Sequence, residues 1–208
     1  MISYVYLIIH ILKECGTGEA KMYHISDDKR SRESSQWIYE ALEQLMTELP
    51  YEKIRITDIC KKAKVGRVTF YRHYDTIDDI LRKKCDDKFR ALLVYLKEYS
   101  ASQKMAAKTF LVPFLRFWYV NPSIIRIIFL ANKDFIINES IERILAPVEK
   151  LYFEHKENSY DSYFSSVKYA VSITVLKEWF KNDMNLAPDD LSTGLLQYLK
   201  TLLNESIF

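Results

Sequence analysis

The sequence predicts an all-α protein made of a small N-terminal helical module and a larger C-terminal helical domain. Two observations predict this. The 208 residues include only 4 glycines and 5 prolines, too few for the many tight turns of a β-sandwich or barrel. From Lys29 onward, apolar residues recur at the three- and four-residue spacing of amphipathic helices. Because 49% of the residues are hydrophobic, the chain can bury a core, which excludes a disordered protein.

The N-terminal module is predicted to contain three helices, the second and third of them short. The first ends at Pro50, because proline cannot continue a helix. The two short helices are separated by only three residues, from Lys64 to Gly66. The apolar spacing places the three helices at about 30–48, 56–63 and 67–74.

A long helix at 76–99 is predicted to connect this module to the rest of the chain. Its buried stripe continues to about Tyr99. Asp75 or Thr76 is expected to cap it, since Asp78 and Asp79 then lie in its first turn, where the helix dipole favours negative charge.

The C-terminal domain is predicted to consist of five helices. Asn121 and Pro122 separate the first two, and Pro188 opens the last one in its first turn, where a proline is well tolerated. Pro113 and Pro147 lie inside helical patterns and are expected to kink or interrupt them. The predicted helices span about 104–120, 122–131, 138–157, 160–182 and 188–205.

The chain therefore divides into four parts. These are an N-terminal extension at 1–28, the small module at 29–75, the connecting helix at 76–99 and the larger domain at 100–208. The apolar run from Ile2 to Leu12 is shorter than the ~20 residues that span a bilayer, and it lacks the basic start of a secretory signal. We interpret the extension as an appended helix or as a start codon assigned too far upstream, with Met22 as the alternative start. A membrane anchor is the less favoured alternative.

Charge is distributed unevenly, although the whole chain carries a net charge of +2. Between Lys53 and His73, seven basic residues stand against one acidic residue, a local net charge of +6. From Pro147 to the C terminus, six lysines stand against nine acidic residues. Such asymmetry is typical of a chain in which one part contacts a polyanion. A solvated charged surface is the alternative that charge alone leaves open.

The sequence offers no catalytic or metal-binding motif. It contains no glycine-rich phosphate loop, no pairing of nucleophile and base, and no Cys/His spacing of a zinc site. Three scattered cysteines do not form a disulfide framework and favour a reducing cytoplasm. We therefore expect a cytoplasmic protein that is not an enzyme, needs no cofactor or metal and has no membrane partner.

Two short helices joined by a three-residue turn have the arrangement of a helix-turn-helix, whose second helix enters the DNA major groove. Arg67 opens this second helix and suits a bidentate pair with guanine, while Val68 can touch a thymine methyl group. Thr69, Tyr71 and His73 carry donors suited to phosphates, which position a protein without reading sequence. The small module is thus predicted to be a three-helix DNA-binding module.

The run from Thr69 to Tyr74, Thr-Phe-Tyr-Arg-His-Tyr, is the centre of a longer pattern. The stretch from Ile54 to Leu81 resembles the DNA-binding domain of TetR-family transcriptional regulators, and with the preceding helix the resemblance covers about residues 29 to 81. The residues that match are Ile59, Ala63, Val65, Thr69, Phe70, Tyr71, His73, Tyr74 in place of Phe, Asp78 in place of Glu, and Leu81.

The resemblance implies a homodimer that binds a palindromic double-stranded DNA operator and is released or modulated by a small-molecule effector. A repressor is the default, and activation stays open. Residue type and resemblance together predict these DNA-binding residues: Arg55, Thr57, Lys64, Gly66, Arg67, Val68, Thr69, Tyr71, Arg72 and His73.

The sequence departs from the family pattern at several of these positions. Lys64 replaces the turn glycine and must take a left-handed conformation or sit in a different turn. Gly66 replaces the serine that caps the recognition helix. Arg55 stands where a threonine caps the first short helix, so Thr57 is expected to take part of that role.

Two further departures bear on affinity. Ile77 replaces a lysine that contacts the DNA backbone, and Val68 stands where glycine or alanine is usual, which narrows the space against DNA. Together with Lys64, these changes leave open an alternative, a co-regulator of the same fold that acts through a protein partner with weakened DNA binding.

The C-terminal region has a weaker resemblance of its own. The segment from Val171 to Met184, followed by Ala187-Pro-Asp-Asp-Leu, is similar to TetR-family regulators of dihydroxyacetone-kinase operons. This implies a regulatory and dimerisation domain whose last two helices pair with those of a second copy; a buried core in a monomer is the alternative. The predicted dimer residues are Val171, Val175, Trp179, Leu195, Tyr198, Leu199 and Leu202.

An effector pocket is expected between the helices of the same domain, where aromatic residues are abundant. Aromatic residues at helical spacing are also typical of an ordinary core, so the two interpretations stand side by side. The candidate pocket residues are Phe114, Trp118, Tyr119, Phe129, Tyr152 and Tyr169.

Overall fold

A computed structural model describes residues 23–26, 28–102, 111–148 and 161–204, without the side chains of 100–102, 161–162, 164 and 202–204. Within these ranges the chain is helical and contains no strand, and one isolated antiparallel bridge joins Tyr23 to Tyr74. The all-α prediction is confirmed. The N-terminal extension as far as Met22 lies outside the described residues, as do 103–110 and 149–160.

The helices follow the predicted order closely. They are α1 Lys29–Glu48, α2 Ile56–Ala63, α3 Arg67–His73, α4 Ile77–Ser102, α5 Leu111–Val120, α6 Ser123–Leu130, α7 Phe135–Ser140, α8 Asp161–Lys181 and α9 Pro188–Asn204. A 3₁₀ turn at Tyr51–Lys53 follows α1, and a π-helical turn at Ile141–Leu145 continues α7.

Side chains satisfy backbone N–H groups at the starts of α1 and α4. The Asp28 carboxylate accepts a hydrogen bond from the Ser31 N–H at 2.9 Å and begins α1. At α4, the N–H and Oγ1 of Thr76 donate to Asp79 Oδ2 at 2.7 and 2.9 Å. Because Asp79 is the third residue of α4, this bond satisfies the N–H that precedes the helix, as in a capping box. Thr76, one of the two residues expected at this position, therefore directly precedes α4, and the Asp79 carboxylate provides the side-chain bond.

The helix predicted to begin at 138 begins three residues earlier, at Phe135. Asn132 takes a left-handed conformation with φ 53°, which ends the preceding turn and lets a new helix start soon after it. The expected interruption near Pro147 takes the form of the π-helical turn, in which the Ala146 N–H bonds to the Ile141 carbonyl. Proline has no N–H for the carbonyl four residues before it, and a wider turn directly before Pro147 accommodates that loss.

Packing divides the chain into two units. The first unit comprises Met1–Arg90 and Ser123–Glu157, and the second comprises Ala91–Pro122 and Asn158–Phe208. The described residues 123–148 thus pack with the N-terminal module, whereas the sequence placed this segment in the C-terminal domain. The functional domain boundaries stay predictions, since packing alone does not define function.

Two ion-pair clusters hold the first unit together around the start of α4. Asp78 accepts from the Tyr51 hydroxyl at 2.5 Å and from Lys133 Nζ at 3.0 Å. One helical turn later, Arg82 donates through Nε to Glu139 Oε2 at 2.9 Å. These contacts connect the beginning of α4 to the segment around α7.

A third cluster centres on Asp86, whose side chain is fully buried in α4. Arg143 donates to both of its carboxylate oxygens, at 3.0 and 3.2 Å. Ser140 Oγ donates at 2.7 Å, and the Tyr23 hydroxyl donates at 3.0 Å. Burial and the Asp86 charge raise the pKa of Tyr23 to about 12, so this tyrosine stays a neutral donor. Asp86 therefore joins α4, the π-helical turn and the segment that precedes α1.

In the second unit, α5 packs against α9. Arg116 forms a bidentate ion pair with Asp189 in the first turn of α9, with N–O distances of 3.0 and 2.8 Å. The Tyr119 ring stacks on Trp179 of α8 with a centroid distance of 5.7 Å. Trp179 Nε1 in turn donates to the Leu186 carbonyl at 3.1 Å, which fixes the connection between α8 and α9.

Candidate nucleic-acid interface

The turn between α2 and α3 is built on a left-handed lysine. Lys64 has φ 54° and ψ 39°. This is the left-handed conformation, one of the two that we expected where lysine replaces the turn glycine. The N–H groups of Lys64 and Val65 bond back to the carbonyls of Lys61 and Cys60, at 3.3 and 3.0 Å. These bonds end α2 in the manner usual for a C-terminal glycine, so lysine adopts a backbone conformation that glycine favours.

We expect Lys64→Gly to raise the free energy of unfolding by about 1 kcal/mol relative to Lys64→Ala, because only the glycine variant relieves the left-handed strain. Both variants remove the same side chain and charge, so their difference isolates the backbone. Urea denaturation followed by circular dichroism measures it. Equal midpoints for the two variants would show that the turn carries no strain.

Gly66 directly precedes α3, and its carbonyl accepts from the Thr69 and Phe70 N–H groups at 2.9 and 3.1 Å. No side chain caps this end. A Cβ added to Gly66 would meet no atom within 4 Å, and its φ of −73° is open to any residue. The site is therefore open for close approach of a DNA backbone.

One face of α3 is buried and holds the helix in place. Phe70 and Tyr74 are 0% and 1% exposed, and their ring centroids lie 5.9 Å apart. The Tyr74 hydroxyl lies 2.6 Å from Ser35 Oγ on α1. These contacts fix the orientation of the opposite face.

That opposite face carries four of the predicted DNA-binding residues. Val68 is 75% exposed and Tyr71 53% exposed, and Arg67 and Arg72 are also exposed, while Thr69 is half-buried. Among the described residues, no carboxylate lies within ion-pair distance of Arg67 or Arg72. A rigid helix thus presents two uncompensated guanidinium groups, a small apolar group and a phenol to the solvent.

The flank of this surface comes from α2 and the turn, where Arg55, Thr57, Lys64 and Gly66 are exposed. Arg55 precedes α2, and its N–H donates to the Asp58 carboxylate at 3.0 Å. The capping role therefore falls to Asp58 rather than to Thr57, which corrects that expectation. The neighbouring Lys62 is paired with Glu48 at 2.7 Å, so it contributes less positive charge than the sequence count implies.

His73 differs from its predicted role as a phosphate donor. Its side chain is 2% exposed, and its Nε2 lies 2.7 Å from Ser34 Oγ on α1. It packs inward because position 73 falls three residues after Phe70, on the same face of the helix. Burial, followed by the Arg72 charge, lowers the pKa of His73, while Asp28 acts in the opposite direction. The prediction of a phosphate contact by this side chain is wrong for the structure described here.

This burial predicts a pH dependence of stability. Below about pH 6.5, the ordinary pKa of histidine, the unfolded chain binds a proton that folded His73 accepts only at lower pH. The free energy of unfolding should therefore fall as the pH drops from 7 toward 5, by at most about 1.4 kcal/mol per pH unit. The measurement is urea denaturation at a series of pH values.

His73→Gln is the matched control, because glutamine keeps a donor toward Ser34 but does not titrate. Its stability should change less between pH 7 and 5 than that of the wild type. A hydrogen bond from Ser26, and to a lesser extent one from the Ser31 N–H, lowers the pKa of Asp28. The contribution of Asp28 to stability is therefore lost only as the pH falls below about 4, the ordinary pKa of aspartate. Parallel pH profiles for the two proteins would exclude His73 as the titrating group.

The sequence analysis did not predict the contacts that hold the buried side and the last turn of α3. Tyr23 pairs with Tyr74, and the His24 N–H donates to the His73 carbonyl at 2.8 Å, at the last turn of the helix. Ser34 and Ser35 of α1 meet His73 and Tyr74. No local motif marks these residues. Ser34 and Ser35 lie 39 positions from their partners, and Tyr23 and His24 lie still farther from theirs, so periodicity gives no signal.

The predicted dimer residues divide into exposed and buried ones. Tyr198 is 61% exposed, and Leu199 and Val171 are 38% and 37% exposed, whereas Val175 and Leu195 are half-buried. The Leu202 side chain lies outside the described residues. Trp179 is a correction: it is 3% exposed, because it stacks on Tyr119 within its own chain.

The predicted pocket residues fall in both units. Phe114 and Trp118 are buried in the second unit, with ring centroids 6.2 Å apart in an edge-to-face arrangement. Tyr119 is 47% exposed. Tyr169 is half-buried in the second unit, and Phe129 is half-buried in the first. Tyr152 lies outside the described residues, and the effector pocket stays a prediction.

Within the described ranges, no group of three or more His, Cys, Asp or Glu side chains is placed to hold a metal ion. No helix in the same ranges is both long enough and apolar enough to cross a membrane. Cys60 and Cys85 are buried free thiols, and burial raises the pKa of Cys85 to about 12. Cys85 is therefore an unreactive core residue.

No protein-family model matches the sequence, and no curated protein matches it. Solved structures are similar. Lin0861 from Listeria innocua has a TM-score of 0.72 at 18% identity, over 87% of this chain and 99% of that one. A protein from Syntrophomonas wolfei assigned to the TetR family of transcriptional regulators has a TM-score of 0.62 at 20% identity, over 85% and 97% of the two chains.

A third similar structure is the fatty acid degradation regulator FadR from Bacillus halodurans, with a TM-score of 0.56 at 18% identity, over 84% of this chain and 96% of that one. At these identities the likeness establishes the fold alone. The chain therefore shares the all-helical fold of these structures, with the helix-turn-helix in its N-terminal unit. Its place in a family or subgroup stays a prediction.

Proposed function

We propose that this protein is a DNA-binding transcriptional regulator, by default a repressor, that binds a palindromic operator as a homodimer. The observation that carries the proposal is the exposed face of α3, where Arg67, Val68, Tyr71 and Arg72 project from a helix anchored on its other side. An α-helix fits the major groove of B-DNA. Two of the similar structures are of proteins described as regulators, which supports the proposal through the shared fold.

The proposed contacts divide by chemistry. Arg67 pairs with guanine through two hydrogen bonds, and Val68 lies against a thymine methyl group. Tyr71, Thr69 and the exposed cations Arg55, Lys64 and Arg72 contact phosphates, with the N–H groups at the uncapped start of α3 adding donors. Base contacts would supply sequence preference, and phosphate contacts would supply most of the salt-dependent affinity.

A homodimer is proposed because one recognition helix reads too few base pairs for a unique site, whereas a two-fold dimer reads two half-sites. Exposed apolar residues on the last two helices support this, among them Val167, Val171, Tyr198 and Leu199. Soluble monomers rarely expose large apolar patches. A small-molecule effector is proposed to act in the C-terminal domain by changing the spacing of the two recognition helices.

We expect Leu199→Glu to convert the dimer to a monomer, since a charge placed in an apolar interface is costly to desolvate. Val120→Glu is the matched control, because Val120 is 73% exposed at the end of α5 in the same unit and is not among the predicted interface residues. Sedimentation velocity measures the mass of each variant. A monomeric wild type, or loss of the dimer with Val120→Glu alone, would contradict the predicted interface.

The function itself is tested by selecting binding sites from random duplex DNA with the purified full-length protein. The expected result is a palindrome whose half-sites are centred about 34 Å apart, or a multiple of one helical turn. Arg67→Ala is the matched control and should lose one conserved base pair from each half-site. Failure to enrich any sequence would favour the co-regulator alternative and direct the search to a protein partner.

A further inference from the structure

The segment 23–26, which we call the strap, meets the recognition helix at its last turn. Tyr23 and Tyr74 form an isolated antiparallel bridge, and the His24 N–H donates to the His73 carbonyl at 2.8 Å. The last carbonyls of a helix have no N–H partner within that helix. The strap therefore satisfies one of the carbonyls at the end of α3 with a donor from outside the helix.

α3 ends without the left-handed residue that commonly closes a helix. Such a residue lets the chain fold back, so that the N–H groups that follow reach the last carbonyls. Tyr74, which follows α3, is instead extended, with φ −142° and ψ 137°. An extended backbone pairs with a neighbouring segment, as in a β-ladder, and here that segment is the strap. The bond from His24 is thus part of how the recognition helix ends.

The strap is also anchored to α4. The Tyr23 hydroxyl donates to Asp86 Oδ2 at 3.0 Å, and Asp86 is 0% exposed. Arg143 holds the same carboxylate through both of its oxygens. Lys83 Nζ lies 5.8 Å from the centre of the Tyr23 ring. The strap therefore connects the last turn of α3 to a buried, fully bonded charge on α4.

α3 depends on such support because it is short. It has 7 residues, whereas helices below ~12–15 residues are marginal without tertiary contacts. Phe70 is buried near its middle, and the His73 and Tyr74 side chains contact α1. Those contacts hold side chains, whereas the strap is bonded to the backbone. Without the strap, the last turn frays more readily and the helix is free to tilt about Phe70.

We propose that the strap is a positioning element for DNA recognition, in which the backbone bond from His24 to His73 sets the orientation of α3 against the operator. This inference rests on the proposed DNA-binding function. The N–H of His24 is the group that acts. Its imidazole lies 3.5 Å from the Asp75 carboxylate, with both side chains largely exposed, and surface pairs of this kind contribute little.

The experiment compares His24→Pro with His24→Ala in the full-length protein. Both variants remove the imidazole, but only proline removes the N–H, and proline is tolerated in extended edge segments. Fluorescence anisotropy measures the affinity for the selected duplex and for a scrambled one. His24→Pro should bind the selected duplex about tenfold more weakly than His24→Ala, and the scrambled duplex less than about threefold more weakly, because base contacts depend on helix orientation and carry the specificity.

A second readout needs no DNA. The Tyr74 N–H bonds to the Phe70 carbonyl in the last turn, so its hydrogen exchange reports the opening of that turn. NMR should show exchange at Tyr74 about tenfold faster in His24→Pro than in His24→Ala. The same exchange and the same operator affinity in both variants would overturn the proposal. An equal loss of affinity for both duplexes would also overturn it, since it would show less folded protein and not a reoriented helix.

The strap and the proposed function fail separately. If the wild type bound no duplex, the proposed function would be wrong, while exchange at Tyr74 would still support or overturn the strap. Tyr23→Phe serves where His24→Pro does not fold, because it removes only the hydroxyl that donates to Asp86. Tyr163→Phe is its control, at a tyrosine on α8 that is 70% exposed. Exchange at Tyr74 should rise in Tyr23→Phe alone, and unchanged exchange there would overturn the proposal.

Discussion

Asp86→Ala is expected to lower the free energy of unfolding by about 3–5 kcal/mol, the usual effect of removing one partner of a buried ion pair. The variant leaves the Arg143 guanidinium, which is held by both Asp86 oxygens, without its partner. It also removes the acceptor for Ser140 and Tyr23. Since a domain is stable by only about 5–15 kcal/mol, this loss is a large fraction of the total stability.

Asp87→Ala is the matched control for this prediction. Asp87 is the next residue of α4, but it is exposed, and it pairs with Lys83 and Arg90 at the surface. Surface ion pairs contribute about 0–1 kcal/mol, so this variant should unfold near the wild-type midpoint. Chemical denaturation of both variants gives the comparison. If Asp86→Ala were as stable as Asp87→Ala, Asp86 would not organise the first unit.

Arg67→Ala is expected to weaken binding to the selected operator by about 1–3 kcal/mol and to relax the preference at one base pair of each half-site. Arg67 is exposed at the first position of α3, where a helix in the major groove reaches base edges. Because it makes no ion pair with the described residues, its loss should change DNA affinity without a large change in stability. Fluorescence anisotropy with operator and single-substitution duplexes measures both effects.

Tyr71→Phe is the informative contrast, because it removes one hydroxyl from the same exposed face. A phosphate contact carries no sequence information, so this variant should weaken operator and unrelated DNA by the same factor. Lys200→Ala removes a charge far along the chain, on α9, and should leave both affinities unchanged. Wild-type affinity and base preference in Arg67→Ala would place DNA recognition elsewhere than at the start of α3.

Much of the fold could be predicted because its determinants are local. Apolar periodicity located α1 to α4, and Pro50 and Pro188 marked a helix end and a helix start. The left-handed conformation of Lys64 was one of the two that we expected where lysine replaces the turn glycine of the family pattern. In each case the relevant contacts lie within a few residues along the chain, so spacing and residue type carry the information.

The parts that could not be predicted depend on contacts between distant segments. His73 carries a donor and sits in a basic helix, yet its side chain faces α1, where Ser34 meets it across 39 positions. The bridge from Tyr23 to Tyr74 and the burial of Asp86 also depend on contacts between segments that are far apart in the sequence. Periodicity identifies the buried face of a helix but not the partner that it meets.

Trp179 shows the same limit in the second unit. The sequence of α8 has apolar residues on more than one face of the helix, which predicts an interface with another chain. This pattern does not show which of the apolar residues pack in the chain's own core. The stacking partner, Tyr119, lies 60 positions away and became visible only in the structure. Val171 and Leu199, by contrast, are exposed and stay candidates for contact with a second copy.

The most direct test of DNA recognition by α3 is the affinity of the wild-type protein for its selected duplex and for a scrambled duplex, measured between 50 and 200 mM salt at one pH. The expected result is a preference of at least ~10³ for the selected duplex. Log affinity should also fall linearly with log salt, with a slope that reports several phosphate contacts. Equal affinity for the two duplexes, or an affinity that salt does not change, would contradict a sequence-reading helix-turn-helix.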